Sequence, residues 1–178
     1  MELDLHDFMG VIPAPPVILV STLYGQIKNI APFGMSMPVS FDPPLLAVGV
    51  GANRDTSKNI IDTGEFVVCV PGPKLVGAID CAARTYPRDI SEFQEAGLTP
   101  VPSKAVKPFR TAECQAHLEC QLEWYRQAGD HYVMVGRVVA ASIEDSLGVG
   151  GIHRDRLDPV YHDSVFESWY TRKGERIR

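Results

Sequence analysis

Apolar and polar residues alternate without a break from Cys114 to Trp124, in the order Cys-Gln-Ala-His-Leu-Glu-Cys-Gln-Leu-Glu-Trp. A strict period of two predicts a strand with one face inward and one outward, as in an antiparallel sheet. Turn residues Gln127-Ala128-Gly129-Asp130 follow, and a second long strand is predicted from His131 to about Ile143, completing a hairpin. Gly136 inside it marks a bulge or a close backbone approach. Upstream, Val17–Thr22 reads as a strand introduced by Pro13, Pro15 and Pro16, with Tyr24-Gly25 as a turn and Gln26–Ala31 as the return arm. Leu45–Val50 is apolar on both faces, which suits a central strand or an interface, and Phe66–Val70 is a further buried strand between Gly64 and Pro71.

Helical spacing is confined to short stretches: Thr56–Thr63 closed by Gly64, Lys74–Arg84 with Leu75, Val76 and Ile79 on one side, and Ile90–Ala96 closed by Gly97. Strands recur without regular strand–helix alternation, so the expected fold is mainly β, an antiparallel barrel with peripheral helices. With 178 residues and neither a repeat nor a linker, residues 1–178 read as a single domain.

Composition narrows the function classes. Hydrophobic residues make up 45% and charged residues 22%, which fits a globular chain rather than a disordered one. The formal net charge of −5 argues against a non-specific nucleic-acid binder but leaves room for a local basic pocket. No apolar run reaches the roughly 18–20 residues of a membrane span. The acidic start, Met1-Glu2-Leu3-Asp4, does not read as a signal peptide. Cys69, Cys81, Cys114 and Cys120 contain no C-x-x-C pair and read as buried, inert thiols in a reducing compartment, the cytoplasm. The 14 prolines and 15 glycines sit between apolar runs and imply many turns and short strands.

Two segments concentrate unusual residues. Asn29–Pro44 is apolar yet rich in Pro, Gly and Ser, so its backbone groups are not visibly committed to regular structure, and buried peptide groups need partners. A flat heteroaromatic ligand with carbonyls and ring nitrogens suits such a segment, with Phe33, Met35 and Met37 packing on it. A structural loop whose hydroxyls cap their own turns suits it as well. In the second segment, Gly51–Asn59, residues Arg54, Thr56, Ser57 and Lys58 cluster where a strand gives way to a helix. A helix start favours anions, so cations there are reconciled by a phosphate. An ordinary N-cap at Asp55 or Thr56 beside solvated charges is the alternative. Neither segment carries a Walker or GxGxxG pattern.

Together these stretches resemble the flavin reductase-like family of FMN-binding split barrels, in its flavoredoxin-like branch. The resemblance rests on Pro16–Thr22, Asn29–Phe33, Met37–Pro44, Arg54–Asn59, Gly64–Val68 and Gly129-Asp130-His131, in that order. It implies a homodimeric, six-stranded antiparallel split barrel with FMN near the dimer interface. On that basis Asn29, Ala31, Pro32, Phe33, Ser36, Met37, Pro38, Val39 and Ser40 meet the isoalloxazine and ribityl chain. Arg54, Thr56, Ser57, Lys58 and Asn59 receive the phosphate, and His131 takes the nicotinamide side. The implied activity is reduction of flavin by NADH or NADPH, with a monooxygenase or another electron-accepting protein as partner. The alternatives are a non-enzymatic FMN electron carrier and a small barrel used only for protein interaction. The chain departs from the family pattern at Cys69, where many members have Asn, and at Gly34 and Met35, where many have Ser or Thr.

Other residues carry less. His117 falls on the outward face of its strand and reads as a solvated or interface histidine. His153, Arg154, Asp155, Arg156, Asp158 and Tyr161-His162 read as a surface loop that could reach over a site. Trp124-Tyr125 at a strand end reads as dimer or core packing, and the polar tail from Arg172 as a solvated terminus.

Overall fold

A computed structural model describes residues 4–148, 156–163 and 168–170. The chain begins with a 3-10 turn, Leu5–Val11, and continues through β1 (Ile18–Tyr24), β2 (Ile27–Phe33), β3 (Ser36–Phe41) and β4 (Pro44–Gly51). Helix α1 (Asp55–Thr63) leads to β5 (Glu65–Val70), then α2 (Val76–Ala82) and α3 (Glu92–Glu95). A small ladder of β6 (Pro100–Val101) and β7 (Arg110–Thr111) precedes the long hairpin of β8 (Ala116–Ala128) and β9 (His131–Ile143). Helix α4 (Asp145–Gly148) and the pair β10 (Tyr161–Asp163) and β11 (Ser168–Tyr170) end the described chain.

Seven strands form one antiparallel sheet in the order β2-β1-β5-β8-β9-β4-β3. No ladder joins its edges β2 and β3. Instead β2 packs against β4, and the Gly34-Met35 link is held by a bond from the Gly49 N–H to the Met35 carbonyl at 2.7 Å. The sheet therefore curls into a barrel left open along one seam. Six strands were expected and seven are present, because the supposedly irregular segment supplies one. Residues 29–33 continue β2 and pair with β1, while Ser36–Phe41 pair with β4 around a bulge between Pro38 and Ser40. Pro38 argues against a strand in the sequence, but an edge strand with a bulge tolerates it.

Both faces of the sheet are buried along β1 and β5. Ile18, Val20, Val48, Val50, Phe66, Val68, Cys120 and Met134 fill the barrel, with Ile60 of α1 among them. Leu19, Val67, Cys69 and Ile30 point outward and are covered by Val76, Ile79, Phe93, Leu98 and Val106. This is why β1 and β5 read as apolar runs rather than alternating ones. Gly136 is a close approach: a Cβ there would lie 2.6 Å from Phe66 Cε1 and 3.0 Å from Cys120 Cβ. The bulges of the hairpin sit elsewhere: Val139 is the extra residue on β9, opposite the Glu119–Cys120 step, and Glu123 is the extra residue on β8, between Leu122 and Trp124.

Two helices are shorter than their periodicity suggested. Pro73–Leu75 forms a separate 3-10 turn before α2, and the Arg84 N–H closes on the Cys81 carbonyl at 3.2 Å. Ser91, whose hydroxyl donates to the Lys28 carbonyl at 2.7 Å, is extended and starts α3 at Glu92. Helix α1 does end at Gly64, which is left-handed at φ 70°.

The first part of the outward face of β8, at His117 and Glu119, is covered, while Gln121 and Glu123 farther along it are exposed. Glu119 is 2% exposed, and its carboxylate accepts the N–H groups of Lys104 at 2.9 Å and Ala105 at 2.6 Å, with Arg110 Nε 3.6 Å away. His117 is half-buried beside it, its Nε2 donating to the Thr111 carbonyl at 2.8 Å and its Nδ1 accepting from Ser142 Oγ at 3.1 Å. Residues 99–113 fold back over this face, a tertiary cover that alternation along β8 cannot reveal.

Candidate functional site

The open seam of the barrel continues into a cleft of about 660 Å³. One wall is the end of β2, with Asn29, Ala31, Pro32 and Phe33, continued by Gly34 and Met35. The β4–α1 turn supplies Gly49 and residues 51–56, the segment after α2 supplies Ala82–Tyr86, and Glu92, Asp130 and His131 complete the lining. The Lys28 carbonyl faces outward to Ser91. The alternation of an antiparallel edge strand then turns the Pro32 carbonyl outward too, at a position where no N–H is needed.

Glycines let the walls close up. A Cβ at Gly49 would sit 2.9 Å from Met35 Cβ, and one at Gly51 would sit 3.1 Å from Arg54 Cγ. The β4–α1 turn is tied to the β8–β9 turn by the Ala52 N–H, which donates to the Asp130 carbonyl at 2.9 Å. This bond, together with the pairing of Gly51 and His131 across β4 and β9, brings His131 beside Arg54.

The charges are arranged in two groups. Arg54 stands at the start of α1, and Arg84 lies on the wall beyond α2. No side chain caps α1: the Ser57 hydroxyl turns back to the carbonyls of Gly51, Ala52 and Arg54 at 3.0, 3.2 and 2.7 Å, leaving the first-turn amides available. On the same side as Arg54, His131 Nδ1 and Asp130 Oδ1 are 2.8 Å apart, and the hydrogen bond from His131 holds the Asp130 carboxyl below its ordinary range. At the base, Asn29 Nδ2 donates to Glu92 Oε1 at 2.8 Å. Burial pushes the Glu92 carboxyl up.

Of the residues expected here, Asn29, Ala31, Pro32, Phe33, Arg54, Thr56 and His131 line the cleft. Ser36, Met37, Pro38, Val39 and Ser40 do not, because pairing with β4 carries β3 along the outer edge. Ser57 and Asn59 lie buried beneath it. Lys58 points away, paired with Asp55 Oδ1 at 3.1 Å on the solvent side of α1. Arg84, Tyr86 and Glu92 went unread in the sequence, because no local signal says that the segment after α2 returns past β2.

The C-terminal candidates lie elsewhere. The Asp158 N–H and carbonyl pair with the Gln115 side chain at 3.0 and 3.1 Å, and Tyr161 bridges to Pro16, so the described residues 156–163 brace the start of β1. His153, Arg154, Asp155 and the tail from Arg172 fall outside the described residues. Trp124 and Tyr125 are exposed on the long hairpin, where Tyr125 meets Tyr132 edge-on at 5.5 Å. Among the described residues no helix is long and apolar enough to cross a membrane.

Comparison with known proteins adds to this geometry. Residues 9–169 match the family described as "Flavin reductase like domain". The uncharacterized protein YwrF of Bacillus subtilis is 33% identical over 180 residues, covering 94% of this chain and 87% of its own. Nitrilotriacetate monooxygenase component B from Bacillus cereus superposes with a TM-score of 0.87 at 28% identity, over 100% of this chain and 98% of its own. Flavoredoxin from Methanosarcina acetivorans gives a TM-score of 0.85 at 23% identity, over 96% and 90%. The same fold recurs in a Shewanella frigidimarina protein described as having a split barrel domain, with a TM-score of 0.85 at 19% identity over 99% of this chain and 92% of its own.

Proposed function

This chain belongs to the flavin reductase-like domain family, and from that membership we propose that it binds FMN and works as an oxidoreductase reducing flavin with NADH or NADPH. The cleft carries the reading. Its 660 Å³ lies within the roughly 300–1,000 Å³ usual for cofactor sites. The residues present fit FMN. Ala31, Pro32, Phe33 and Met35 offer an apolar wall for a flat ring system, and the uncapped start of α1 between Arg54 and Arg84 suits a phosphate.

In this reading Arg54, Arg84 and the first amides of α1 hold the phosphate, with Thr56 beside them and Ser57 and Asn59 supporting from beneath. Asn29 and the β2 edge hold the ring. Bound flavin supplies the hydride-accepting chemistry, which calls for no protein nucleophile. His131, oriented through Nδ1 by Asp130, turns Nε2 toward the cleft and positions the nicotinamide.

Two copies of the chain pack through the apolar side chains left exposed on β3, where Phe41 is 93% exposed beside Met37 and Val39, and on the β8–β9 hairpin. The name of the Bacillus cereus protein, a monooxygenase component, supports a partner oxygenase that receives reduced flavin. Four unpaired cysteines suit the cytoplasm.

Anaerobic stopped-flow mixing of the FMN-loaded protein with NADH and then NADPH tests the activity. Bleaching of the flavin absorbance with at least one donor is the expected result. Bound flavin that neither donor bleaches rejects the reductase and leaves an electron carrier. Protein that remains colourless after incubation with FMN rejects the flavin site itself.

A further inference from the structure

Beneath the cleft a chain of hydrogen bonds runs inward from the surface, and each donor in it points the same way. Arg88 Nη2 donates to Asn59 Oδ1 at 3.0 Å, and Asn59 Nδ2 donates to Thr22 Oγ1 at 3.1 Å. Thr22 Oγ1 donates to Asn29 Oδ1 at 2.9 Å, and Asn29 Nδ2 donates to Glu92 Oε1 at 2.8 Å. Thr56 Oγ1 gives Asn29 Oδ1 a second donor at 3.3 Å. Thr22 and Asn29 are cross-strand partners on β1 and β2, so the middle of the chain is built into the sheet register.

The direction follows from the two ends. A guanidinium can only donate and a carboxylate can only accept, so every amide and hydroxyl between them is left one orientation. Turned over, Asn29 would present its oxygen to the Glu92 carboxylate and lose both hydroxyl donors. The surface end is itself fixed: the Arg88 guanidinium lies 3.7 Å from the centre of the Tyr24 ring, with Asp55 and Asp62 oxygens at 3.9 and 3.7 Å.

Asn29 lines the cleft with its oxygen occupied twice and one of its two amide hydrogens bound to Glu92. Only its second N–H is uncommitted. We infer that Arg88 and Glu92 are positioning residues, which hold the Asn29 carboxamide so that it offers the cleft a donor and never an acceptor. The ligand group that Asn29 meets is then an acceptor, a carbonyl oxygen or an unprotonated ring nitrogen, and a donor group at that place is rejected. This rests on the reading of the cleft as a flavin site, since an isoalloxazine edge is rich in such acceptors.

The test compares Glu92→Gln, Glu92→Leu and Asn29→Asp in two measurements. In ¹⁵N-labelled protein without flavin, the Asn29 side-chain amide protons are shifted downfield and protected from exchange. They stay so in Glu92→Gln, whose amide oxygen still accepts, and move to free-amide positions in Glu92→Leu. In FMN titrations followed by fluorescence quenching at pH 8, Glu92→Gln binds within about twofold of wild type. Glu92→Leu loses about tenfold, the size of one net hydrogen bond, and Asn29→Asp, which can only accept, loses at least as much. An unmoved Asn29 amide in Glu92→Leu, or Asn29→Asp binding FMN as wild type does, overturns the inference. If Glu92→Leu does not fold, Asn29→Asp and the Glu92→Gln rescue decide it. Amide shifts that behave as stated in a protein that takes up no FMN leave the positioning intact and reject the flavin reading instead.

Discussion

Replacing Glu119 by Ala tests how residues 99–113 are held over the sheet. Its carboxylate, 2% exposed, accepts two backbone N–H groups and faces Arg110 Nε at 3.6 Å. Each hydrogen bond to a charged acceptor is worth about 1.5–3 kcal/mol, and removing one partner of a buried pair costs about 3–5 kcal/mol because the other charge is left without compensation. These contributions overlap. Arg110 also keeps its bonds to the Pro102 carbonyl at 2.8 and 3.2 Å, so the expected loss is about 4 kcal/mol. Glu119→Gln preserves shape and one acceptor oxygen, and loses about 2 kcal/mol. At roughly 2–4 °C per kcal/mol for a chain of this size, Glu119→Ala melts about 8–16 °C below wild type. Thermal unfolding by circular dichroism measures the shift, and hydrogen exchange at the Lys104 and Ala105 amides shows whether those two sites lose protection. A loss under 1 kcal/mol, with both amides still protected, would refute the reasoning.

The other predictions concern the barrel interior, pH and the charges at the cleft. Gly136→Ala forces a methyl group against Phe66 and Cys120 and costs about 2–3 kcal/mol in urea unfolding, and Phe66→Leu in the same chain recovers part of it; additive losses would show that the ring is not the obstacle. Burial, then Arg110, holds the His117 imidazole below its ordinary value against the opposing Thr111 carbonyl and Glu119. The unfolded chain therefore takes up that proton first, so the contribution of His117 is present above about pH 6.5 and is lost as pH falls through the lowered folded value. Melting curves of His117→Gln flatten in that window, and an unchanged pH profile would contradict it. Arg84→Ala and Arg54→Ala each weaken FMN about tenfold or more while barely affecting riboflavin, whereas Lys58→Ala stays within about twofold for both. Equal losses for both ligands would remove the phosphate assignment.

The legible parts of this molecule are those in which the signal lies along the chain. The β8–β9 hairpin follows from its alternation and from Gly129, which is left-handed at φ 64°. The β2 wall and Arg54 could be read because their residues are consecutive and chemically unusual. Local pattern fails where distant segments meet. Glu119 alternates as an outward polar residue, yet residues 99–113 bury it. Lys58 and Arg54 look equivalent in the sequence, but a helix turns one to solvent and the other to the cleft. Arg84 and Glu92 join the site only because α2 and α3 pack outside β2.

A barrel that does not close keeps two strand edges, and free edges template the addition of foreign strands. Each edge here is blunted differently. On β2 the Ser91 hydroxyl occupies the Lys28 carbonyl, α3 packs alongside, and Pro32 removes an outward N–H from the row. On β3, Pro38 and the bulge before Ser40 break the even spacing that an incoming strand needs. The open seam is thus flanked by residues that resist amyloid-like growth. Substituting Val for both prolines keeps each position apolar, Pro32 in the cleft wall included, while making the protein prone to aggregate.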